Sequence, residues 1–104
     1  MISIDENEIA RLDLAQFMDH KKGCFTQLQA LEKVDLILVC NSVKVPLPDL
    51  EALQKLIHSK EGVLVLLDPE LMQDLEGETW NIVPTLQEAF DFISFERMQR
   101  DLGF

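Results

Sequence analysis

The sequence predicts an α/β fold in which a mixed, mostly parallel sheet is covered by helices. Two apolar runs rich in β-branched residues, at 34–40 and 63–67, have the composition of strands that are buried on both faces. Between them, residues 49–59 carry leucine and isoleucine at helical spacing, with prolines before the segment and a glycine after it. Strands that alternate with helices pair in parallel through right-handed crossovers, so the helices cover the sheet.

The first third of the chain is open to two interpretations. Residues 1–4 have the composition of a strand, and over residues 10–14 apolar and polar residues alternate as in a half-buried strand. Residues 9–18 also contain good helix formers, so a helix is the alternative there, although the alternation favours a strand. Residues 25–31 place Phe25, Leu28 and Leu31 three positions apart, which predicts a helix.

The last third of the chain predicts a second crossover and a closing helix. We expect a helical turn at 70–75, a turn at 76–78 and a short strand at 80–83. The closing helix should begin at Thr85, because Thr85 and Glu88 form the S/T-x-x-E capping box. In that motif the hydroxyl and the carboxylate each accept from a backbone N–H at the helix start.

Length and composition predict one cytoplasmic domain over residues 1–104. Apolar residues make up 47% of the chain, which is enough to build one core. No run approaches the roughly eighteen consecutive apolar residues of a membrane span, and residues 1–7 lack the basic and apolar order of a secretory signal. Cys24 and Cys40 lie in apolar settings outside any C-x-x-C motif, so we expect two reduced thiols.

The charge is strongly acidic and unevenly distributed. The formal net charge is −10, and residues 61–104 contribute −8 of it, with ten acids against Arg97 and Arg100. Such a surface repels phosphate backbones, so we expect no direct binding to nucleic acid. A basic protein partner suits this surface, although acids also keep a small protein in solution.

The sequence contains no recognisable catalytic constellation. The only histidines, His20 and His58, are far apart and stand outside any H-x-H or H-E-x-x-H motif, which argues against a metal centre. The four glycines are isolated and form no phosphate-binding loop. Neither cysteine has a local base, and no G-x-S-x-G elbow is present. We therefore predict a protein that is not an enzyme and that needs no cofactor.

One polar group of residues is compatible with a ligand or phosphorylation site. Asn41, Ser42, Asp68 and Thr85 follow the predicted parallel strands, whose carboxyl ends share one edge of the sheet. They could line a small crevice there. The alternative is that they cap helices and form turns, as these residue types do wherever a strand passes into a helix.

The closing helix has two apolar faces. Leu86, Ala89, Phe90 and Ile93 share one face that is wide enough to pack on a sheet. Phe95, Met98 and Leu102 point to the other side, at the i, i+3, i+7 spacing of a helix that docks in a groove. Either the helix bends near Ser94 and buries this second face, or the face binds a partner, which could include a second copy of the chain. Phe104 at the terminus favours docking.

The end of the chain also carries a longer motif. Residues 83–93 read VPTLQEAFDFI and residues 100–104 read RDLGF. These segments resemble the C-terminal signature, V-P-T-L-x-E-A-x-D-x-I followed by E-R-D-L-G-F, of small bacterial proteins often labelled ribonuclease Z. The true ribonuclease uses an H-x-H-x-D-H metal motif that this chain lacks. The resemblance therefore implies at most an accessory protein or relative of that tRNA-processing system.

The order of elements resembles the STAS fold of anti-sigma factor antagonists, which act by binding other proteins. This resemblance implies a STAS-like regulatory domain that binds another protein. Together with the two apolar faces of the closing helix, it predicts docking through the C-terminal segment. In that family the phosphorylatable Ser or Thr lies in a D-S-S-G-like turn between a strand and a helix. Here the corresponding segment, residues 40–46, reads CNSVKVP, and Ser42 is the nearest counterpart.

Overall fold

A computed structural model describes residues 2–41, 43–70 and 80–103 of the chain. Within these ranges it contains five strands and four helices. In chain order they are β1 (Ser3–Ile4), β2 (Ile9–Asp13), α1 (Leu14–Asp19), α2 (Lys21–Gln29), β3 (Asp35–Val39), α3 (Leu47–Ser59), β4 (Leu64–Leu67), β5 (Asn81–Val83) and α4 (Leu86–Asp101). The helical turn and the turn predicted between β4 and β5 fall on residues 71–79, which lie outside the described part.

The strands form one sheet in the order β1-β2-β3-β4-β5. The edge strand β1 pairs with β2 in antiparallel orientation, and every other neighbouring pair is parallel. The central register places Leu36 beside Leu64 and Ile37 beside Val65. The predicted α/β fold with a mixed, mostly parallel sheet is therefore confirmed.

Both faces of the sheet are covered, but by different helices. Along each strand successive side chains point to opposite faces, so the apolar runs of β3 and β4 supply two cores. One core joins Leu36, Leu38, Leu64 and Leu66 to the buried residues of α1, α2 and α3. The other joins alternate residues of the same strands, such as Ile37 and Val65, to α4.

The open question in the first third is settled by a helix cap. β2 ends at Asp13, and α1 begins at the next residue. The Asp13 carboxylate accepts a hydrogen bond from the Ala15 N–H at 2.9 Å, which satisfies a backbone donor at the start of the helix. The predicted strand is thus correct up to Asp13, and Leu14, which continues the alternation in the sequence, belongs to a helix.

The cap of α4 gives a first testable prediction. Thr85 Oγ1 accepts a hydrogen bond from the Glu88 N–H at 3.1 Å, as the capping box predicts. Thr85→Ala should lower the free energy of unfolding by about 1 kcal/mol, because it leaves that N–H without its acceptor. Urea denaturation measures the change. Thr85→Ser keeps the acceptor and serves as the control, and equal losses in the two variants would contradict the role of the hydroxyl.

Candidate functional site

The outer face of α4 is the most exposed apolar surface that the sequence singled out. The helix runs from Leu86 to Asp101 without a break, so it does not bend at Ser94. Phe95, Met98 and Leu102 remain 57%, 59% and 65% exposed. We call these three residues the docking stripe. Phe104, the fourth residue predicted to bind a partner, lies outside the described residues.

The inner face of α4 changes character along its length. In its first half, Ala89 and Ile93 are buried, and Leu86, Phe90 and Phe92 pack half-buried against the same core. Beyond Ile93 the inward positions are taken by Arg97 and Arg100. The last two turns of the helix are therefore attached to the domain through polar groups.

The two arginines converge on one buried carboxylate at the start of β3. The side chain of Asp35 is 3% exposed, and its Oδ2 accepts from Arg97 Nε at 2.7 Å. Arg100 Nη2 lies 3.0 Å from Oδ1 and 3.2 Å from Oδ2. The Val63 N–H also donates to Oδ1, at 2.8 Å. We call Asp35, Arg97 and Arg100 the arginine latch; its members satisfy the requirement that a buried charge be paired and hydrogen-bonded.

The remaining donors of the latch bind backbone carbonyls in two turns. Arg97 donates to the carbonyls of Asn7 and Glu8, at 2.5 and 3.3 Å, and Arg100 donates to that of Glu61 at 2.5 Å. Glu8 and Glu61 have φ values of 61° and 60°, in the left-handed region that non-glycine residues occupy at a cost. The hydrogen bonds from the arginines help to hold these two turns in that conformation.

The latch fixes the rotation of α4 about its own axis. Because Arg97 and Arg100 must point to Asp35, the docking stripe must point away from the sheet. The exposed acids Glu88 and Asp91 share the side of the helix that carries the stripe. The outward surface of α4 is thus apolar and acidic, while its two cations are held on the inner side.

A groove that the sequence did not reveal runs between α4 and the hairpin of β1 and β2. It consists of two adjoining cavities of about 470 and 350 Å³, and Asp5, Ile9 and Phe90 line both of them. Successive side chains of β2 point to opposite faces of the sheet. Ala10 and Leu12 therefore enter the core on one face, while Ile9 and Arg11 point to the other face and line the groove.

Three of the four residues predicted for the strand-end crevice, Asn41, Asp68 and Thr85, make hydrogen bonds within the fold. The Asn41 side chain donates to Asp13 Oδ2 at 3.1 Å, next to the oxygen that caps α1, and the Asn41 backbone has a φ of 50°. Thr85 caps α4. Asp68 is fully buried, and its N–H donates to the Val83 carbonyl at 2.9 Å. Ser42 lies outside the described residues. Asn41 and Thr85 thus behave as the capping alternative predicts.

Both cysteines are buried in the core and form no disulfide. Burial and the neighbouring charge of Asp68 raise the pKa of the Cys40 thiol to about 12. Burial also raises the pKa of Cys24. At neutral pH both side chains are therefore protonated thiols, and a protonated thiol is a poor nucleophile.

The histidines stand apart from each other. His20 lies at the junction of α1 and α2, and His58 lies in the last turn of α3; both are exposed. Among the residues that the structure describes, no three side chains of His, Cys, Asp or Glu come together in a group that could hold a metal ion. No helix in the described ranges has both the length and the apolar character that crossing a membrane requires.

Comparisons with protein-family models, with curated proteins and with solved structures give no significant match to this chain.

Proposed function

We propose that this protein is a non-catalytic interaction module, a STAS-like regulator of the anti-sigma factor antagonist kind, that acts in the cytoplasm and docks on another protein through α4. The observation that carries the proposal is the docking stripe. Three large apolar side chains stay more than half exposed on a helix whose opposite face is packed on the sheet. Contiguous exposed apolar surface on a small domain is typical of an interaction site.

The arginine latch supports this proposal because it makes the surface rigid before a partner arrives. A helix end attached only by loose contacts would have to be ordered on binding, and that ordering subtracts from the affinity. Here Arg97 and Arg100 hold the last two turns through Asp35 and three backbone carbonyls. The stripe is therefore presented in one orientation.

The docking stripe alone is too small to hold a stable complex. Burying a large apolar side chain contributes about 1.5–3 kcal/mol. Because each residue of the stripe keeps more than half of its surface exposed, covering all three should contribute on the order of 3 kcal/mol. Association costs at least about 4 kcal/mol in lost freedom of motion. A stable complex therefore needs further contacts around the stripe.

Affinity capture from a lysate of the native cells tests the docking function. We compare the intact protein with the double variant Phe95→Asp, Met98→Asp, which should lose its partner because two charges would be buried in the interface. A matched control, Met18→Asp with Leu47→Asp, alters two exposed apolar residues on α1 and α3, on the other side of the sheet. Circular dichroism checks that every variant is folded.

The expected result is a protein that the intact chain and the control retain and that the stripe variant loses. Equal recovery of the same proteins by the folded stripe variant would contradict docking through α4.

A further inference from the structure

We infer that the partner offers α4 a basic amphipathic segment, in which apolar side chains meet the docking stripe and lysine or arginine side chains flank them. This inference rests on the proposed docking function and specifies the chemistry of the partner. It follows from the charges that surround the stripe and from the fate of the two arginines of α4.

Two carboxylates lie beside the apolar residues of the stripe. Asp91 precedes Phe95 by four positions and Met98 by seven, so it shares their side of the helix. Glu88 precedes Phe95 by seven positions, about two turns, and lies in the same row. Both acids are exposed. Asp91 accepts a hydrogen bond from the Gln87 side chain at 3.0 Å, and a neutral amide does not cancel its charge.

The cations of α4 do not balance these acids. Arg97 and Arg100 both bind Asp35, so their charges are held on the inner side of the helix against a buried carboxylate. The surface that a partner meets is therefore apolar with a negative border. Electrostatic complementarity at such a border favours positive groups on the partner and increases the rate of association.

The same charges disfavour the other occupants of this face. In a symmetric dimer the stripe would meet itself, and the acids of one copy would face those of the other. The net charge of −10 adds to that repulsion. Anionic membranes and nucleic acids would be repelled for the same reason. A positively charged protein segment is the occupant that satisfies both the apolar and the acidic components.

Two synthetic peptides test the inference directly. Both are amphipathic helices with the same leucine stripe at i, i+3, i+4 and i+7; one has lysine and arginine on its polar face, and the other has glutamate. Fluorescence anisotropy of the labelled peptides measures binding to the full chain at low and high salt. Analytical ultracentrifugation of the chain alone measures self-association.

Two double variants separate the contribution of the acids from that of total charge. Glu88→Gln with Asp91→Asn neutralises the border of the stripe. Asp19→Asn with Glu51→Gln removes the same charge from exposed positions at the end of α1 and on α3.

We expect the basic peptide to bind and the acidic peptide not to bind. Neutralising the border, or introducing Phe95→Asp with Met98→Asp, should weaken binding about tenfold, and high salt should weaken it as well. The control pair should have a much smaller effect. Equal binding of both peptides, equal effects of the two neutralised pairs, or a dimer that Phe95→Asp with Met98→Asp dissociates would overturn the inference.

The lysate experiment distinguishes this inference from the docking function itself. If the captured protein depends on Phe95 and Met98 but is retained equally after Glu88→Gln with Asp91→Asn, docking stands and the basic partner is wrong. If neither pair of substitutions affects capture, both proposals fail.

Discussion

Gly62→Ala should strongly destabilise the fold. A Cβ atom at position 62 would lie 1.7 Å from the carbonyl oxygen of Val34 and 2.8 Å from its carbonyl carbon. Both atoms belong to the backbone, so no side-chain rotation can relieve the contact. Gly62 also donates its N–H to the Ile57 carbonyl at 3.0 Å, which fixes it at the end of α3.

The cost of this substitution follows from what must move. Val34, just before β3, would have to move away from Gly62, just before β4. That movement would strain two neighbouring hydrogen bonds, one from the Leu36 N–H to the Val63 carbonyl and one from the Val63 N–H to the Asp35 carboxylate. We expect a loss of at least about 3 kcal/mol in the free energy of unfolding, which is a large part of the stability of a small domain. Urea denaturation, or loss of soluble protein on expression, measures it.

Gly103→Ala is the matched control for a glycine effect without a clash. A Cβ at position 103 meets nothing within 4 Å, although its φ of 80° favours glycine. The cost of Gly103→Ala should therefore be about 1–2 kcal/mol, from the backbone conformation alone. A loss for Gly62→Ala as small as that for Gly103→Ala would contradict the close approach of the two segments.

Asp35→Ala should produce the second large effect. The substitution leaves Arg97 and Arg100 without their common counter-ion and the Val63 N–H without an acceptor. Breaking a buried ion pair by removing one partner costs about 3–5 kcal/mol. The two arginine side chains are 32% and 38% exposed, and water can replace part of what they lose. We therefore expect a loss near the lower end, about 3 kcal/mol.

Hydrogen exchange would locate the effect of the latch. In Asp35→Ala the amides of residues 94–101 should exchange faster, because the arginines attach this part of α4, while those of α3 should change much less. Lys33→Ala is the control, since Lys33 and Glu61 form a pair at 3.3 Å whose side chains are 69% and 71% exposed. Such a surface pair contributes at most about 1 kcal/mol. Equal effects of the two substitutions would contradict the latch.

The elements that could be predicted from the sequence are those whose residues form a recognisable pattern within a few positions of one another. β3 and β4 are buried on both faces, so each appears in the sequence as an apolar run. α3 is buried on one face, so its leucines recur at helical spacing. Thr85 was predictable as a cap because the capping box needs only four residues. These elements depend little on distant parts of the chain.

The end of β2 and the arginine latch depend on contacts that local pattern does not contain. Alternation alone extends the strand to Leu14, and the cap by Asp13 ends it. In the latch, Arg97 and Arg100 meet a residue 62 and 65 positions away. A signal was present, since Asp35 is an acid within an apolar strand and must find a partner when buried. The sequence does not show which cations pair with Asp35, because their identity depends on how α4 packs across the sheet.

The strand-end residues illustrate a further limit. Asn41 and Thr85 were candidates for a ligand site because parallel strands bring their carboxyl ends to one edge. The same residue types are favoured in turns and caps, and both side chains make such contacts here. Sequence order predicts the edge on which a residue lies, but its hydrogen-bond partner requires the tertiary structure.

The central claim is that α4 binds a partner through the docking stripe, and the methyl group of Met98 reports on it directly. Met98 is 59% exposed on α4, and Met18 is 38% exposed on α1, across the sheet. In a protein labelled with ¹³C at the methionine methyl groups, titration with the captured partner should shift or broaden the Met98 signal and leave Met18 unchanged. A partner that binds while Met98 is unaffected, or that perturbs Met18 instead, would contradict docking through α4.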